Sequence, residues 1–282
     1  MKLRFTLMTI TLSTFLIGCK TVDLSSTVDL AKTSTMNIVQ ASQPLSTEQE
    51  YYLGRAVAAR ILAQYPLLDN WKMTEYVNMI GQTLVFFSEM PATYGGYHFA
   101  IIDTKEKNAF ACPGGLILIT KGMITSAQSE DELAAVIAHE IAHIVHRDGI
   151  SSIQQSRIAE AIVKAGTQTV AKYGEAELSK LVVLFENSIN DVVKTIITNG
   201  YSRSQEFAAD ESALLYLAKA GYEPSALKHI LNTIKQNTSS GILSTHPDTD
   251  DRIANIASKM LTTAPNPIAY KARLDRFRAV IR

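Results

Sequence analysis

Apolar residues recur along this chain with two periods, and each predicts a different element. In STEQEYYLGRAVAARILAQ and DNWKMTEYVNMIGQTLVFFSEM they return every three or four positions, the period of a helix with one buried face. Pro66 and Asp69-Asn70 separate these two helices. The pattern then changes. YHFAIID (97–103) is short and rich in β-branched and aromatic residues, as a strand is, and AFACPGGLILIT (109–120) carries a second and a third strand around Pro113-Gly114-Gly115. SEDELAAVIAHEIAHIVHRDG (129–149) returns to helical spacing and predicts one amphipathic helix. Ser129 with Glu132 three residues later has the form of a capping box, and Glu130 and Asp131 suit the positive end of a helix.

Residues 150–199 carry helical patterns, ISSIQQSRIAEAIVKAG and LSKLVVLFENSINDVVKTII, broken by Glu186, Asn187, Asn190, Asp191 and Lys194. A membrane-spanning helix needs about 18 continuous apolar residues, and no run here reaches that. Their apolar faces are expected to pack on the domain or line a groove, with an interfacial membrane helix as the other reading. Asn199-Gly200 ends the stretch. SRSQEFAADESALLYLAKA (202–220) predicts a helix stopped by Gly221, with Pro224 beyond. Two more helices follow over 224–237 and 249–261, with GILSTHPDTD between them as a turn-rich loop. The last twenty residues are basic and partly helical, and the sequence assigns them no role.

The first nineteen residues stand outside this pattern. Lys2 and Arg4 precede an apolar stretch that ends Leu16-Ile17-Gly18-Cys19, the layout of a secretory signal peptide. Phe5 to Gly18 is short for a membrane span. Gly18 directly before Cys19 resembles the lipobox of bacterial lipoproteins, which implies cleavage before Cys19 and its lipidation. Lys20 in the next position implies sorting to the outer membrane, by the rule of enterobacterial-type lipoproteins. Residues 19–45, rich in Ser and Thr, then read as a flexible tether in which TVDL occurs twice. A main domain is expected over 46–262, and 263–282 as a C-terminal extension.

Composition narrows the picture. The 282 residues carry 27 basic and 27 acidic side chains, so no basic excess points to nucleic acid. Cleavage before Cys19 removes only Lys2 and Arg4 from that balance. There are two cysteines. With Cys19 lipidated, Cys112 has no partner for an internal disulfide and is expected to be a small buried hydrophobe.

The chemistry centres on His139-Glu140-Ile141-Ala142-His143. Two histidines four apart on a helix lie about 40° apart around its axis, on one face. Their ring nitrogens can reach one ion, and the Glu between them can act on a water there. A catalytic zinc site takes three protein ligands and keeps a fourth position open. The metzincin pattern needs Gly at 146 and His at 149; this chain has His146 and Gly149, so that pattern is absent. The other source is a carboxylate from a later helix. Glu206 and Asp210, four apart, share a face of the 202–220 helix. Alone they would read as a solvated face. Beside the histidine motif, Glu206 would bind the ion, and Asp210 would be placed to accept a hydrogen bond from a ligand His and fix its tautomer. His146 reads as a local hydrogen-bonding residue, and His98 and His229 have no supporting context.

NAFACPGG (108–115), HEIAH (139–143), SRSQEFAAD (202–210) and STHPDTDDRI (244–253) occur here in the order seen in HtpX-like, BepA-like and CAAX-prenyl-protease-like zinc metallopeptidases. TEQEYYLG and YVNMIGQTL also resemble that family's opening helices, so the likeness covers roughly 46–260. It implies a gluzincin fold: α+β, predominantly helical, with a small sheet beside the motif helix. It implies one zinc per chain on His139, His143 and Glu206, with Glu140 as catalytic base. The chain is similar to a soluble periplasmic branch, since it lacks the transmembrane helices of the embedded members. Its 282 residues are not expected to hold the tetratricopeptide domain of the BepA type. The family match places His246, fixed by Pro247, in the active site. There it would either hydrogen-bond the oxyanion of the transition state, the favoured role, or cap the zinc at rest. Arg252 is a candidate partner for substrate carbonyls or for the loop carrying His246. The expected substrates are unfolded or misassembled cell-envelope proteins, laid extended along Asn108-Ala109-Phe110. A chaperone-like lipoprotein with slow or latent proteolysis is the alternative.

Cys19→Ser is expected to release the protein from membranes in cell fractionation, since no later span is predicted to hold it. Retention after a high-salt wash would point instead to an interfacial helix within 150–199.

Overall fold

The most apolar strand takes the centre of the sheet. In the computed structural model, which describes residues 45–151, 187, 189–237, 242–260 and 266–281, β1 (His98–Ile102), β2 (Ala109–Cys112) and β3 (Leu116–Thr120) are ordered β1-β3-β2. β1 runs parallel to β3, with His98 opposite Leu116, and β2 runs antiparallel to it, with Cys112 opposite Leu116. Alternate residues face opposite sides of a sheet. Phe99, Ile101, Ala109, Ala111, Ile117 and Ile119 therefore enter one core, and Ile102, Phe110, Cys112 and Leu118 a second. The signal peptide, Cys19, the tether and most of the 150–199 stretch lie outside the described residues.

Two helices open the domain, α1 (Thr47–Leu62) and α2 (Trp71–Phe86), both within the spans predicted for them. α1 covers the second core and crosses the Pro113-Gly114-Gly115 turn between β2 and β3. Gly54 makes that crossing possible, because a Cβ there would stand 1.7 Å from the Pro113 carbonyl oxygen. Gly114 sits at φ 75°, a left-handed conformation that favours glycine.

After α3 (Lys121–Ser126) comes the motif helix, α4 (Glu130–Val145). It differs from its expectation in three ways. It is not amphipathic in place: every residue from Glu130 to Ile144 is buried, because α2, α5 (Arg203–Ala220), α6 (Ser225–Asn237) and β2 pack around it. It stops at Val145 and not at 149, since Arg147 turns left-handed at φ 58°. Its cap is also shifted: Ser129 accepts from Glu132 N, but the Glu132 carboxylate accepts from Gln128 N, one residue before the cap.

α5 opens with a complete capping box, Ser202 with Gln205, and closes on Gly221 at φ 80°. The turn-rich loop after α6 contains one helical turn, α7 (Ile242–Thr245), and leads into α8 (Thr249–Lys259). The stretch set apart as a C-terminal extension forms α9 (Pro267–Ile281) and docks on the start of α4. Arg273 donates to both Asp131 oxygens at 2.9 Å, and Arg276 to both Glu130 oxygens. Tyr76 and Tyr222 also donate to Glu130. Phe277 is fully buried in the main core. The fold is α+β and predominantly helical, and among the described residues no helix is long and apolar enough to cross a membrane.

Phe277→Ala is expected to cost about 3–5 kcal/mol of stability in urea unfolding, the usual range for deleting a buried aromatic ring. A loss below about 1 kcal/mol would mean that α9 is not part of the cooperative unit.

Candidate metal centre

Four side chains from three parts of the chain converge between α4, α5 and the turn before α8. Ligand atoms of His139, His143, Glu206 and His246 all lie within 4.8 Å of one another, and all four residues are buried. His139 Nε2 is 3.0 Å from His143 Nε2 and 3.2 Å from His246 Nδ1. Glu206 Oε1 is 3.0 Å from His246 Nδ1 and 3.5 Å from His143 Nε2, and its Oε2 is 3.4 Å from His139 Nε2.

The far nitrogen of each α4 imidazole is already engaged. His139 Nδ1 stands 3.0 Å from Asp210 Oδ1, and His143 Nδ1 stands 2.7 Å from Asp148 Oδ2. A carboxylate at Nδ1 fixes the proton there and turns the Nε2 lone pair outward. Two such lone pairs facing each other at 3.0 Å cannot hydrogen-bond, whereas a cation between them satisfies both. Ligand atoms about 2.0–2.1 Å from a tetrahedral ion stand roughly 3.3 Å apart, within the spread found here. The residues therefore fit a single metal ion of the kind that nitrogen and carboxylate donors bind.

Asp210 is itself fixed by Arg252 on α8. That side chain is buried, and its guanidinium donates to both Asp210 oxygens at 2.8 and 2.7 Å. Nη1 also stands 2.7 Å from Glu206 Oε2, a close charge contact without the alignment of a hydrogen bond. Burial alone would raise the Asp210 carboxyl, but the charge of Arg252 and the bonds from Arg252 and His139 hold it down at about 2. Burial is likewise outweighed at Glu206, where the charges of His246 and Arg252 keep the carboxyl well below the usual range. Arg252 is thus committed to two buried carboxylates, a use that neither of its sequence readings named.

Glu140 presents the opposite case. It is fully buried, and among the described residues neither oxygen has a hydrogen-bond partner. Its Oε1 lies 3.6 Å from His246 Nε2. A buried carboxylate without donors is costly and marks a place where another group is meant to sit. Cys112 is buried and its ligand atom is not among those that converge. Burial, and then the Glu140 charge, push its thiol far up, so it stays neutral.

The structure also brings in residues that the sequence did not flag. Asp148 lies five positions after His143 and would point away if α4 continued. The left-handed turn at Arg147 brings it back. The Tyr201 ring stacks on His143 at 4.0 Å and 22°. His146 pairs with Ser212 at 3.0 Å and stands outside the cluster, as do His98 and His229. The one sequence signal for Asp148 was the Arg147-Asp148-Gly149 turn composition.

The turn carrying His246 is tied to the start of β2. Ile242 N donates to Lys107 O at 2.9 Å, Thr245 Oγ1 to Asn108 Oδ1 at 3.2 Å, and Tyr201 N to Thr245 O at 3.2 Å.

The model of peptidase family M48 matches residues 72–260. A beta-barrel assembly-enhancing protease of Yersinia pestis is 25% identical over 81% of this chain and 47% of its own length. The mitochondrial metalloendopeptidase OMA1 of Schizosaccharomyces pombe is 28% identical over 65% of this chain and 52% of its own. A protease HtpX homolog of Salinibacter ruber is 31% identical over 55% of this chain and 65% of its own. The chain spans about half the length of the beta-barrel assembly-enhancing relatives. With HEIAH on a buried helix, the later Glu206 beside it and a family match that contains both, the chain belongs to peptidase family M48.

Proposed function

We propose that this protein is a zinc-dependent endopeptidase, with His139, His143 and Glu206 as ligands and Glu140 as the catalytic base. The observation that carries the reading is the convergence of those three ligand groups beside a buried carboxylate with no hydrogen-bond partner among the described residues. One zinc per chain supplies Lewis acidity and lowers the pKa of water from 15.7 to about 7 at such sites. Glu140 takes the proton of the attacking water and passes it to the leaving amine. Asp210 keeps His139 in the ligating tautomer, and Arg252 keeps Asp210 in place.

The substrate strand is taken to add to β2, an outer strand of the sheet among the described residues, near Asn108-Ala109-Phe110. Main-chain pairing of that kind suits unfolded or loop segments. The relatives named for beta-barrel assembly support misassembled cell-envelope proteins as substrates. The lipobox-like Leu16–Cys19 stretch supports a lipid anchor on Cys19 and an outer-membrane location facing the periplasm.

A second reading has an observation in its favour. His246 turns Nδ1, and not only Nε2, toward the site, at 3.2 Å from His139 Nε2 and 3.0 Å from Glu206 Oε1. That placement favours His246 as a cap on the metal over the oxyanion role that the sequence favoured. A capped site supports slow or latent proteolysis, with client binding as the resting activity.

The mature protein is expected to hold one zinc, with proteolysis lost on chelation. Glu140→Gln should keep both zinc and fold, and lose peptide hydrolysis by several orders of magnitude, because the amide cannot accept the proton. Near-normal turnover in that variant would assign the base elsewhere.

His246→Ala separates the two roles of His246 by sign. As a cap, its removal raises the rate on an unfolded protein. As an oxyanion partner, its removal lowers the rate by about 10²–10³ with zinc content unchanged. The geometry favours the rise.

A further inference from the structure

Both oxygens of Asp148 are engaged, and each reaches a different helix of the site. Oδ2 is 2.7 Å from His143 Nδ1 on α4, and Oδ1 accepts from Gln205 Nε2 at 3.0 Å on α5. We propose that Asp148 is a positioning residue that fixes the His143 ring and, through Gln205, the register of the helix turn carrying Glu206. The proposal rests on the zinc reading of the site and adds to it the device that sets one ligand against another.

Gln205 cannot turn freely. Its Oε1 closes the capping box of α5 by accepting from Ser202 N at 2.9 Å. The other end of the amide, Nε2, is thereby aimed at Asp148, with Ser151 Oγ at 3.3 Å beside it. Glu206 is the next residue and shares that first turn. A shift of the turn would therefore move Glu206 and strain the Asp148 link together.

Asp148 is held from its own side as well. Arg147 before it adopts φ 58°, uncommon for a residue with a side chain, and its Nε stands 3.2 Å from the buried Glu50 Oε1 on α1. Ser151 Oγ donates to the Asp148 carbonyl at 2.8 Å. With Asp148 on its edge and Tyr201 on its face, the His143 ring is constrained in direction and in tilt. His139 is treated differently: its carboxylate, Asp210, comes from α5 itself, one turn after Glu206. The His143 side is linked to α5 from beyond the end of α4, through Asp148 and Gln205.

The test uses the full chain, with zinc titrated against a chelating indicator and histidine side chains followed by ¹⁵N NMR. Asp148→Ala should weaken zinc binding by about 10–100-fold, the range found when partners of metal-bound histidines are removed. Gln205→Ala should weaken it less. The double variant should be no weaker than Asp148→Ala alone, because Gln205 acts through Asp148. The hydrogen-bonded His143 Nδ1–H resonance should be present in the wild type and lost in Asp148→Ala. Zinc affinity within twofold of wild type in folded Asp148→Ala, or losses that multiply in the double variant, would overturn the proposal. Should Asp148→Ala fail to fold, Asp148→Asn decides: wild-type affinity and an unchanged Nδ1–H signal count against the proposal, and a weaker site with a shifted signal supports it. A wild type that binds no zinc would defeat the reading of the site, and the Nδ1–H signal would still decide the role of Asp148.

Discussion

A helix buried on every side carries ionisable groups at a cost that partners elsewhere in the fold must offset. α4 carries Glu130, Asp131, His139, Glu140 and His143, all buried. An unpaired buried ion costs several kcal/mol, which is a large share of the stability of a single domain. Much of the architecture answers that constraint. Arg273 and Arg276 reach the two carboxylates at the start of the helix. Asp210 and Asp148 take the far nitrogens of the two imidazoles. The helix can be central only because these partners arrive from α9, α5 and the turn beyond its own end.

The same demand explains where later elements sit. Asp210 is buried in turn, so it needs Arg252, and Arg252 brings α8 against α5. The turn before α8 carries His246, so the pairing that stabilises Asp210 also sets where His246 can go. On the other side, Glu50 on α1 holds Arg147, whose left-handed backbone lets Asp148 return to His143. The sheet stands between the two cores, and Cys112 and Phe110 face the second while α4 packs on the first. The site thus lies where both packing layers contribute to its outer supports.

Residue spacing made much of this legible. The periods of 3.6 and 2 located α1, α2, the three strands, α4, α5, α6 and α8, because those elements obey simple burial patterns. His139, Glu140 and His143 were readable because helical geometry alone puts them together. Glu206 and Asp210 were readable because they share a face and the motif asks for a carboxylate. Asp148 was not, since its direction depends on one left-handed residue that spacing does not encode. The docking of α9 was also hidden: its charges look like a solvated face until Glu130 and Asp131 are known to be buried opposite them. The extent of α4 was overestimated for a related reason, as helical periodicity continues past the point where Arg147 leaves the helix.

The placement of unsatisfied groups carries the argument one step further. Among the described residues, eight buried side-chain atoms lack a hydrogen-bond partner, and four belong to Glu140, Glu206 and Tyr201. Native folds pair most of their buried polar atoms, so each atom left without a partner asks for an explanation. The Glu206 oxygen already has the Arg252 charge beside it, so its need is partly met. The Glu140 oxygens have His246 Nε2 at 3.6 Å but no hydrogen bond among the described residues, and the Tyr201 hydroxyl is held neutral by burial and by the charges of Glu140, Asp148 and Glu206. A neutral hydroxyl can donate or accept, and a carboxylate without donors can only accept. On the zinc-peptidase reading, an attacking water, which brings its own protons, is the group that the Glu140 oxygens would accept from.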